Sequence, residues 1–489
     1  MNTCSDLKPK RSAGGRLRPT RLNRAAVARP RPELAWNTGG IARRYDPEAV
    51  FAAGLRNHHL ANTAYPIAHR RTVWPYRQAA DQHARLLSEA FAAAGRMSLY
   101  AHIPFCERRC AFCEYTVVDG HDDRTQDLYL DALLGELELY RHVLGPDAPV
   151  LAGFDIGGGT PALVRPDRIG ELVGRVARAF RLAENFGISI ETTPKIAAEH
   201  PERMAALRGC GIDRISMGLQ MVNPRLLREY GRDLNRTGFN RRAVDHIRRA
   251  GFRRFNIDLM YGFARQTLDD FRETLAYTVA LGPEYITLYR MRYKGTRIAG
   301  EAGQVELERI VAMYELARRM LLEAGYRANP GKNGFSRVEG DPGTSAYLTE
   351  RVVRSTPYLG LGLGAQTFTN NLLAYNLGAA TKRLEAYLAS VSAGQLPIQD
   401  LYHLPLAEGM AKMISVSFYF GEIHLDAFRE RFGRRLEECF PLEVAFLLDH
   451  GLMEYTRDRF RLTAGGARVI NGVIALFYSP AVQEYLLEL

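Results

Sequence analysis

Three cysteines lie within eight residues in the segment "YAHIPFCERRCAFCEYT", although the whole chain of 489 residues contains only six. Cys106, Cys110 and Cys113 have the spacing Cys-x3-Cys-x2-Cys in a predicted loop after a strand, so their thiolates can converge on one metal centre. A tetrahedral zinc ion would need a fourth ligand, and His102 is the nearest candidate. An iron–sulfur cube would accept three cysteines and leave its fourth iron open. The cysteines alone leave zinc and iron both open.

The number and spacing of the cysteines indicate the redox environment of the protein. Cys4, Cys210 and Cys439 are far apart in sequence, which is not the pattern of a disulfide scaffold. Six cysteines in a chain of this length fit a reducing compartment, so we expect a cytoplasmic protein. No apolar run approaches the roughly 20 residues that span a bilayer, and we therefore expect no membrane association.

The formal charge of +11 is concentrated at the N-terminus. Residues 1–45 contain eleven lysines and arginines and two acidic residues, which leaves a net charge of only +2 for the other 444 residues. A Pro/Arg-rich segment of this kind cannot build a packed face, so we predict a disordered basic tail. We expect no nucleic-acid partner, and weak RNA or protein binding by the tail is the alternative.

From Ser98 onward, short apolar runs alternate with amphipathic helical runs. The six strand-like runs are "SLYAHIP", "VLAGFDIGGG", "FGISIETTP", "IDRISMGLQ", "RFNIDLMYG" and "YITLYRMR". This alternation predicts an α/β protein with a parallel sheet and right-handed crossovers. A partial (β/α)6 TIM-like barrel is the economical arrangement.

The chain divides into five predicted regions. They are a disordered basic tail (1–45), an N-terminal helical wrap (46–95), a partial barrel (96–330), a barrel extension or connector (331–400) and a C-terminal helical, winged-helix-like domain (401–489). A DNA-binding interpretation of the last region is available, but its mixed charge favours a lid or a packing module.

The candidate polar residues fall at the ends of the predicted strands, where barrels place their chemistry. The segment "DIGGGTP" at residues 155–161 ends the second strand with three glycines. We expect these glycines to expose backbone amides, so that a small polar ligand can approach without meeting a Cβ.

Residues 100–113, "YAHIPFCERRCAFC", resemble the signature of radical S-adenosylmethionine (SAM) enzymes, in the branch typified by oxygen-independent coproporphyrinogen III oxidase. The blocks "GGGTP", "IETTP", "RISMGLQ", "NIDLMYG" and "YLGLGLGAQ" are similar to successive blocks of that branch, in the same order. The resemblance covers roughly residues 99–376. It implies that Cys106, Cys110 and Cys113 hold three irons of a [4Fe–4S] cluster and that SAM chelates the fourth.

The resemblance also implies a set of SAM-binding residues. They are Tyr100, Phe112, Gly158, Gly159, Thr160, Glu191, Gln220, Arg232 and Asp258. Carboxylates suit the ribose hydroxyls and the ammonium group of SAM, and Arg232 suits its carboxylate. The alternatives are a helix cap for Glu191, a surface charge for Arg232 and a loop contact for Asp258. Arg292 and Gln366 are candidates for contact with a second ligand, and no catalytic side chain is assigned.

In this family an electron from the cluster cleaves SAM to methionine and a 5′-deoxyadenosyl radical, which abstracts a hydrogen atom from the substrate. The protein holds the cofactors, excludes solvent and positions the target carbon. The resemblance therefore implies an enzyme with a small-molecule substrate and an electron donor such as flavodoxin or ferredoxin.

Two positions depart from the best-known relatives. Glu114 and Tyr115 follow the third cysteine where the porphyrinogen oxidases have a further cysteine, and Gln366 replaces a histidine that is usual in the haem-chaperone relatives. These departures, together with the Arg/Ala/Gly-rich composition and the N-terminal leader, favour a third branch. We therefore predict radical C-methylation or cyclopropanation in natural-product biosynthesis, with one or two SAM molecules and a partner methyltransferase. The alternatives are an oxygen-independent coproporphyrinogen III oxidase, which carries out oxidative decarboxylation in porphyrin biosynthesis, and a haem-binding chaperone.

Overall fold

The computed structural model describes residues 45–56, 64–119 and 121–489. The predicted basic tail lies outside these ranges except for its last residue. The strands are β1 (Arg96–Ile103), β2 (Val150–Gly158), β3 (Ile188–Thr192), β4 (Arg214–Gln220), β5 (Arg254–Tyr261), β6 (Tyr285–Arg290), β7 (Gly334–Ser336), β8 (Tyr358–Leu361), β9 (Gln366–Phe368), β10 (Leu372–Asn376), β11 (Ile398–His403), β12 (Glu422–His424), β13 (Met453–Tyr455) and β14 (Arg459–Leu462).

Helices precede, separate and follow these strands. They are α1 (Pro47–Arg56), α2 (His69–Thr72), α3 (His83–Ala92), α4 (Asp123–Leu144), α5 (Pro166–Ala179), α6 (Pro194–Glu199), α7 (Pro201–Gly209), α8 (Pro224–Glu229), α9 (Thr237–Arg249), α10 (Leu268–Leu281), α11 (Leu307–Glu323), α12 (Ala346–Val353), α13 (Glu385–Ser392), α14 (Leu406–Ser417), α15 (Leu425–Phe432), α16 (Leu436–Cys439), α17 (Pro441–Asp449), α18 (Ala464–Arg468), α19 (Ile470–Ala475) and α20 (Pro480–Leu487). Short 3₁₀ turns lie at Trp74–Tyr76, Ala80–Gln82, Pro161–Leu163 and Ala299–Gln304.

The largest sheet in the described ranges has eleven strands in the order β11-β10-β9-β8-β1-β2-β3-β4-β5-β6-β7. Strands β1 to β6 pair in sequence order and all of these pairs are parallel. This confirms the predicted partial (β/α)6 barrel. The sheet extends beyond it on both sides, because β7 pairs antiparallel with β6 and β8 pairs parallel with β1.

The residue pattern explains why the strands and helices form this layer. Met97, Leu99, Ala101 and Ile103 alternate along β1 and are fully buried, as expected for a strand covered by helices. Helix α5 buries a stripe of apolar residues at helical spacing, Ile169, Leu172, Val173 and Val176. Parallel pairing of β1 to β6 brings their carboxyl ends to the same edge of the sheet, where the candidate site lies.

The C-terminal region forms a second hydrophobic core. Strands β12, β14 and β13 make a small antiparallel sheet, and α14 to α20 surround it, in agreement with the predicted helical, winged-helix-like unit. Val50, Ala53 and Tyr65 belong to this core, so the N-terminal segment packs on the C-terminal region. Strand β11 runs to His403, slightly past the predicted boundary at residue 400.

Across the described ranges, no helix combines the length and apolarity that crossing a bilayer requires.

Candidate active site

A cavity of about 820 Å³, called the central cavity below, opens at the carboxyl ends of β2 to β6. Every residue that the sequence predicts for the cluster and for SAM lines it: Tyr100, Cys106, Cys110, Phe112, Cys113, Gly158, Gly159, Thr160, Glu191, Gln220, Arg232 and Asp258. Arg292 and Gln366 line it as well. Its volume is near the upper end for small-molecule sites, which suits a substrate bound beside a cofactor.

The three cysteines lie in the loop that follows β1, and polar neighbours fix two of them. Cys106 Sγ is 3.4 Å from Thr160 Oγ1, and Arg232 Nη1 donates to Cys110 Sγ at 3.3 Å. Burial raises the pKa of the Cys106 thiol to about 12 and also raises the pKa of Cys113. These groups therefore remain thiols until a cation compensates the thiolate charge.

His102, the candidate fourth zinc ligand, is engaged elsewhere. Its Nε2 lies 2.7 Å from Thr116 O, and its Nδ1 lies 3.2 Å from Tyr100 Oη. Among the residues that the structure describes, no three His, Cys, Asp or Glu side chains are gathered as a single-ion site. The donor set facing the cavity is thus three thiols without histidine, which is the set expected for a cluster with one open iron.

The glycines that end β2 serve close packing. A Cβ on Gly158, whose φ is +120°, would lie 2.6 Å from the His102 ring, and one on Gly159 would lie 2.6 Å from Phe105 O. The structure corrects the expectation of exposed amides, because Gly159 N donates to Ile103 O and Thr160 N to Phe105 O, both at 2.8 Å. Gly158 N likewise donates to Glu191, at 3.3 Å. The glycines bring β2 against the cysteine loop.

Carboxylates gather on the barrel side of the central cavity. Enclosure by protein and the charge of Asp258 raise the pKa of Glu191 to about 8, although its side chain is exposed to the cavity. Burial raises the pKa of Asp155 to about 6 and also raises that of Asp258. Ser216 Oγ and Asn256 Nδ2 each donate to Asp258 at 2.7 Å. A cationic ligand would stabilise the ionised carboxylates, and SAM carries an ammonium and a sulfonium group.

Three buried polar atoms near the carboxylates lack hydrogen-bond partners among the described residues. They are Gln220 Oε1, Thr192 Oγ1 and Arg232 Nε. Gln220 ends β4 with a φ of +68°, a conformation that non-glycine residues rarely adopt. Buried polar atoms are normally paired, so these three atoms fit a polar ligand such as SAM.

The residues that depart from the relatives also lie at the central cavity. Arg292 Nε donates to Glu114 Oε1 at 2.9 Å, and Lys382 Nζ donates to the carbonyl oxygens of Glu114 and Tyr115 at 2.9 and 3.2 Å. Gln366 accepts from Tyr358 Oη and donates from Nε2 to Tyr375 Oη at 3.1 Å.

The cavity residues that sequence reasoning missed include two arginines, Arg290 and Arg351. Arg290 is the last residue of β6, so the same strand-end argument that selected Asp258 could have found it. Arg351 lies on α12, outside the repeating strand-helix pattern, and no sequence signal indicates that it faces the cavity.

Comparison with known proteins places these features in a family. Residues 100–278 match the Radical SAM superfamily. The Heme chaperone HemW of Mycobacterium tuberculosis is 31% identical over 77% of this chain and 93% of its own length. The oxygen-independent coproporphyrinogen III oxidase of Synechocystis is 26% identical over 78% of this chain and 84% of its own. The corresponding protein of Paracoccus denitrificans is 33% identical over 51% of this chain, and the match spans 57% of that relative.

Among solved structures, the coproporphyrinogen III oxidase HemN of Escherichia coli superposes with a TM-score of 0.70. The alignment covers 86% of this chain and 97% of that one at 22% identity, which supports the fold.

These findings correct the predicted reaction. Radical C-methylation or cyclopropanation is wrong as the main interpretation, because the relatives that align over most of the chain are coproporphyrinogen oxidases and haem chaperones. That prediction depended on Glu114, Tyr115 and Gln366, on the Arg/Ala/Gly-rich composition and on the N-terminal leader, and these features occur in a chain that otherwise aligns with both groups of relatives.

Radical SAM enzymes use a [4Fe–4S] cluster and SAM. The three thiols of the central cavity fit the cluster, and its acidic wall fits SAM. The chain is therefore a radical SAM enzyme that belongs to the branch containing the oxygen-independent coproporphyrinogen III oxidases and the haem chaperones.

Proposed function

We propose that this protein catalyses the oxygen-independent oxidative decarboxylation of a coproporphyrinogen. The observation that carries the proposal is the central cavity, which the cysteine loop, the acidic wall and partly buried arginines line together. Such a cavity can place a substrate with carboxylate arms beside SAM. The similarity to coproporphyrinogen III oxidases of Synechocystis and Paracoccus supports this substrate.

In this proposal Cys106, Cys110 and Cys113 hold the cluster, and Glu191 and Asp258 face SAM. When bound, the cluster and SAM supply an electron and a carbon radical that abstracts hydrogen from an unactivated position. Arg232 orients Cys110 through its 3.3 Å contact and offers its unpartnered Nε to the SAM carboxylate. The remaining SAM-site residues keep the roles that the family resemblance implies.

We further propose that the C-terminal region covers the central cavity. Phe418, Tyr419 and residues 467–471, all from this region, line the cavity opposite the barrel. The region thereby restricts the access of water to the reacting groups.

The proposed enzyme takes its electrons from a small carrier, a flavodoxin or a ferredoxin. The loop between the first two cysteines carries Arg108 and Arg109, and Arg108 pairs with Asp233 on the surface. Arginines beside the cluster would favour the approach of an acidic carrier.

The test is anaerobic reconstitution with iron and sulfide, followed by incubation with SAM, a reductant, a soluble quinone as electron acceptor and carboxyl-labelled coproporphyrinogen III. We expect labelled carbon dioxide together with 5′-deoxyadenosine. Formation of neither product by protein with an intact cluster would contradict the proposal.

A haem carrier is the second candidate, because the mycobacterial HemW aligns over 93% of its own length. It predicts stoichiometric haem binding without turnover of coproporphyrinogen. A titration that leaves the Soret band of free haem unchanged would exclude it.

A further inference from the structure

The central cavity has an uneven distribution of charge. Its barrel wall carries Asp155, Glu191 and Asp258, which suit a cationic cofactor. The cavity is also lined by Arg290, at the end of β6, and by Arg351, and neither has an ion pair within the described ranges. These two guanidinium groups remain unexplained when the cluster and SAM have been assigned their residues.

Arg290 is the less satisfied of the two arginines. Its Nη1 donates to Asn471 Oδ1 at 3.3 Å, whereas Nε and Nη2 are buried and have no partner in the described part of the chain. Burial lowers the pKa of Arg290, which reflects a cation held in protein without a compensating anion. Two adjacent N–H groups of a guanidinium form the fork that binds a carboxylate with two hydrogen bonds.

The hydrogen-bond partners of Arg351 among the described residues are neutral. Its Nη1 and Nη2 donate to Tyr347 Oη and Tyr358 Oη, each at 3.0 Å, and its Nε is buried without a partner in the described residues. The guanidinium also lies over the Tyr358 ring, with 4.2 Å between the guanidinium carbon and the ring centroid. The phenols hold the side chain in one orientation but do not neutralise its charge.

Two other partly buried arginines have more protein partners. Arg431 donates to the carbonyl oxygens of Ser355, Thr369 and Asn370, and it does not line the central cavity. Arg292 pairs with Glu114. Burying a cation without a carboxylate or several carbonyls is costly, so Arg290 and Arg351 differ from both.

The two arginines come from different parts of the fold. Arg290 ends β6 and touches the C-terminal region through Asn471, whereas Arg351 belongs to α12, which packs on β1 and β2. A ligand that carries acidic groups on separate arms is suited to contact both.

We propose that Arg290 and Arg351 each bind a carboxylate of the substrate, on two different arms, and thereby determine its position and specificity. The inference rests on the proposed function, because coproporphyrinogen carries propionate arms around its ring. In this arrangement the two bound arms fix the tetrapyrrole, and another arm can point toward SAM.

The experiment measures binding to the reconstituted holoenzyme without turnover. The probes are coproporphyrin III, which is the fluorescent oxidised tetra-acid, and its tetramethyl ester, and the readout is the Kd from fluorescence titration. We expect the tetra-acid to bind at least tenfold more tightly than the ester. R290M and R351M should each weaken binding of the tetra-acid about tenfold or more, which corresponds to the loss of at least 1.4 kcal/mol, and should leave binding of the ester and of SAM unchanged.

Matched variants guard against misfolding. Arg461 is paired with Glu454 at 2.7 Å and does not line the central cavity, so R461M should bind both probes like the wild type. R290K and R351K keep the charge without the fork and should fall between the wild type and the Met variants. If the iron content or the circular dichroism spectrum of a Met variant departs from that of the wild type, the corresponding Lys variant is used in its place.

The failures are distinguishable. The inference would be overturned if the tetra-acid and the ester bound equally well, or if R290M and R351M left binding of the tetra-acid unchanged. Turnover of coproporphyrinogen by the wild type would still uphold the proposed function in either case. A wild-type holoenzyme that neither binds coproporphyrin III nor converts coproporphyrinogen would overturn both.

Discussion

Arg292 donates both Nε and Nη2 to a single carboxylate oxygen of Glu114, the residue directly after the third cysteine. The two residues are 178 positions apart in sequence, so the contact fastens the cysteine loop to the chain just beyond β6. The two side chains are 24% and 27% exposed, which makes this a partly buried ion pair next to the proposed cluster.

We predict that R292M destabilises the protein and loosens the cysteine loop. The unpaired Glu114 carboxylate would cost about 1–3 kcal/mol, between the values for exposed and fully buried pairs. Urea unfolding and the iron content after reconstitution measure the two effects. The double variant E114Q/R292M should recover part of the lost stability, because no charge is then left unpaired. If the loss of unfolding free energy in the double variant equalled the sum of the losses in E114Q and R292M, the ion pair would contribute nothing to stability.

Replacing any of the cluster cysteines by serine should abolish the iron–sulfur centre. Wild-type protein should contain about four irons per chain after anaerobic reconstitution, whereas C106S, C110S and C113S should each retain less than half. Iron and sulfide analysis and the visible absorption spectrum are the measurements. Cys210 does not line the central cavity, and its Sγ lies 3.8 Å from Pro166 O, so C210S should keep the full complement. Full iron content in C106S would exclude the proposed ligand set.

Arg232→Lys should weaken SAM binding and leave the cluster in place. A lysine cannot reach Cys110 Sγ and Gly218 O while also offering a third N–H, which the guanidinium does with its free Nε. We expect the Kd for SAM, measured by equilibrium dialysis, to rise about tenfold, the effect of losing one charge-assisted hydrogen bond. R236K changes a neighbouring exposed arginine outside the central cavity and serves as the control. An unchanged Kd in R232K would place SAM elsewhere.

Stability should fall between pH 5 and pH 8, in part through Glu408. Burial raises the pKa of this carboxyl from 4.5 to about 7, and Tyr65 Oη donates to it at 2.7 Å. Because the folded pKa is the higher one, the stabilising contribution is complete below about pH 4.5 and is lost as the pH rises through 7. The loss is roughly 2–3 kcal/mol.

Urea unfolding of E408Q at the two pH values tests this assignment. The variant should lose roughly 2 kcal/mol less stability than the wild type over the same interval. Glu89, an exposed residue paired with Arg85, provides the control E89Q, which should follow the wild type. The same slope in E408Q and the wild type would rule out Glu408 as a source of the pH dependence.

Local sequence patterns determined the barrel and most of the candidate site. Apolar strands alternating with amphipathic helices predict a parallel sheet, and Glu191, Gln220 and Asp258 then follow because each lies at or near the carboxyl end of a strand. The Cys-x3-Cys-x2-Cys spacing is likewise local. These features depend on residues that are neighbours in the chain.

The substrate side depended on contacts that no local pattern contains. Arg351 faces the central cavity only because α12 packs on β1 and β2, and Glu114 finds its partner in Arg292 across most of the barrel. The departures at Glu114, Tyr115 and Gln366 therefore led to a wrong reaction when they were interpreted singly.

The sequence by itself thus determined the parallel strands β1 to β6, the candidate cysteine ligands and the cofactor class, because periodicity and spacing are short-range properties. The tertiary structure decided which charges are neutralised and which remain for a ligand, because the partner of a buried arginine is selected by packing between elements that are distant in the chain.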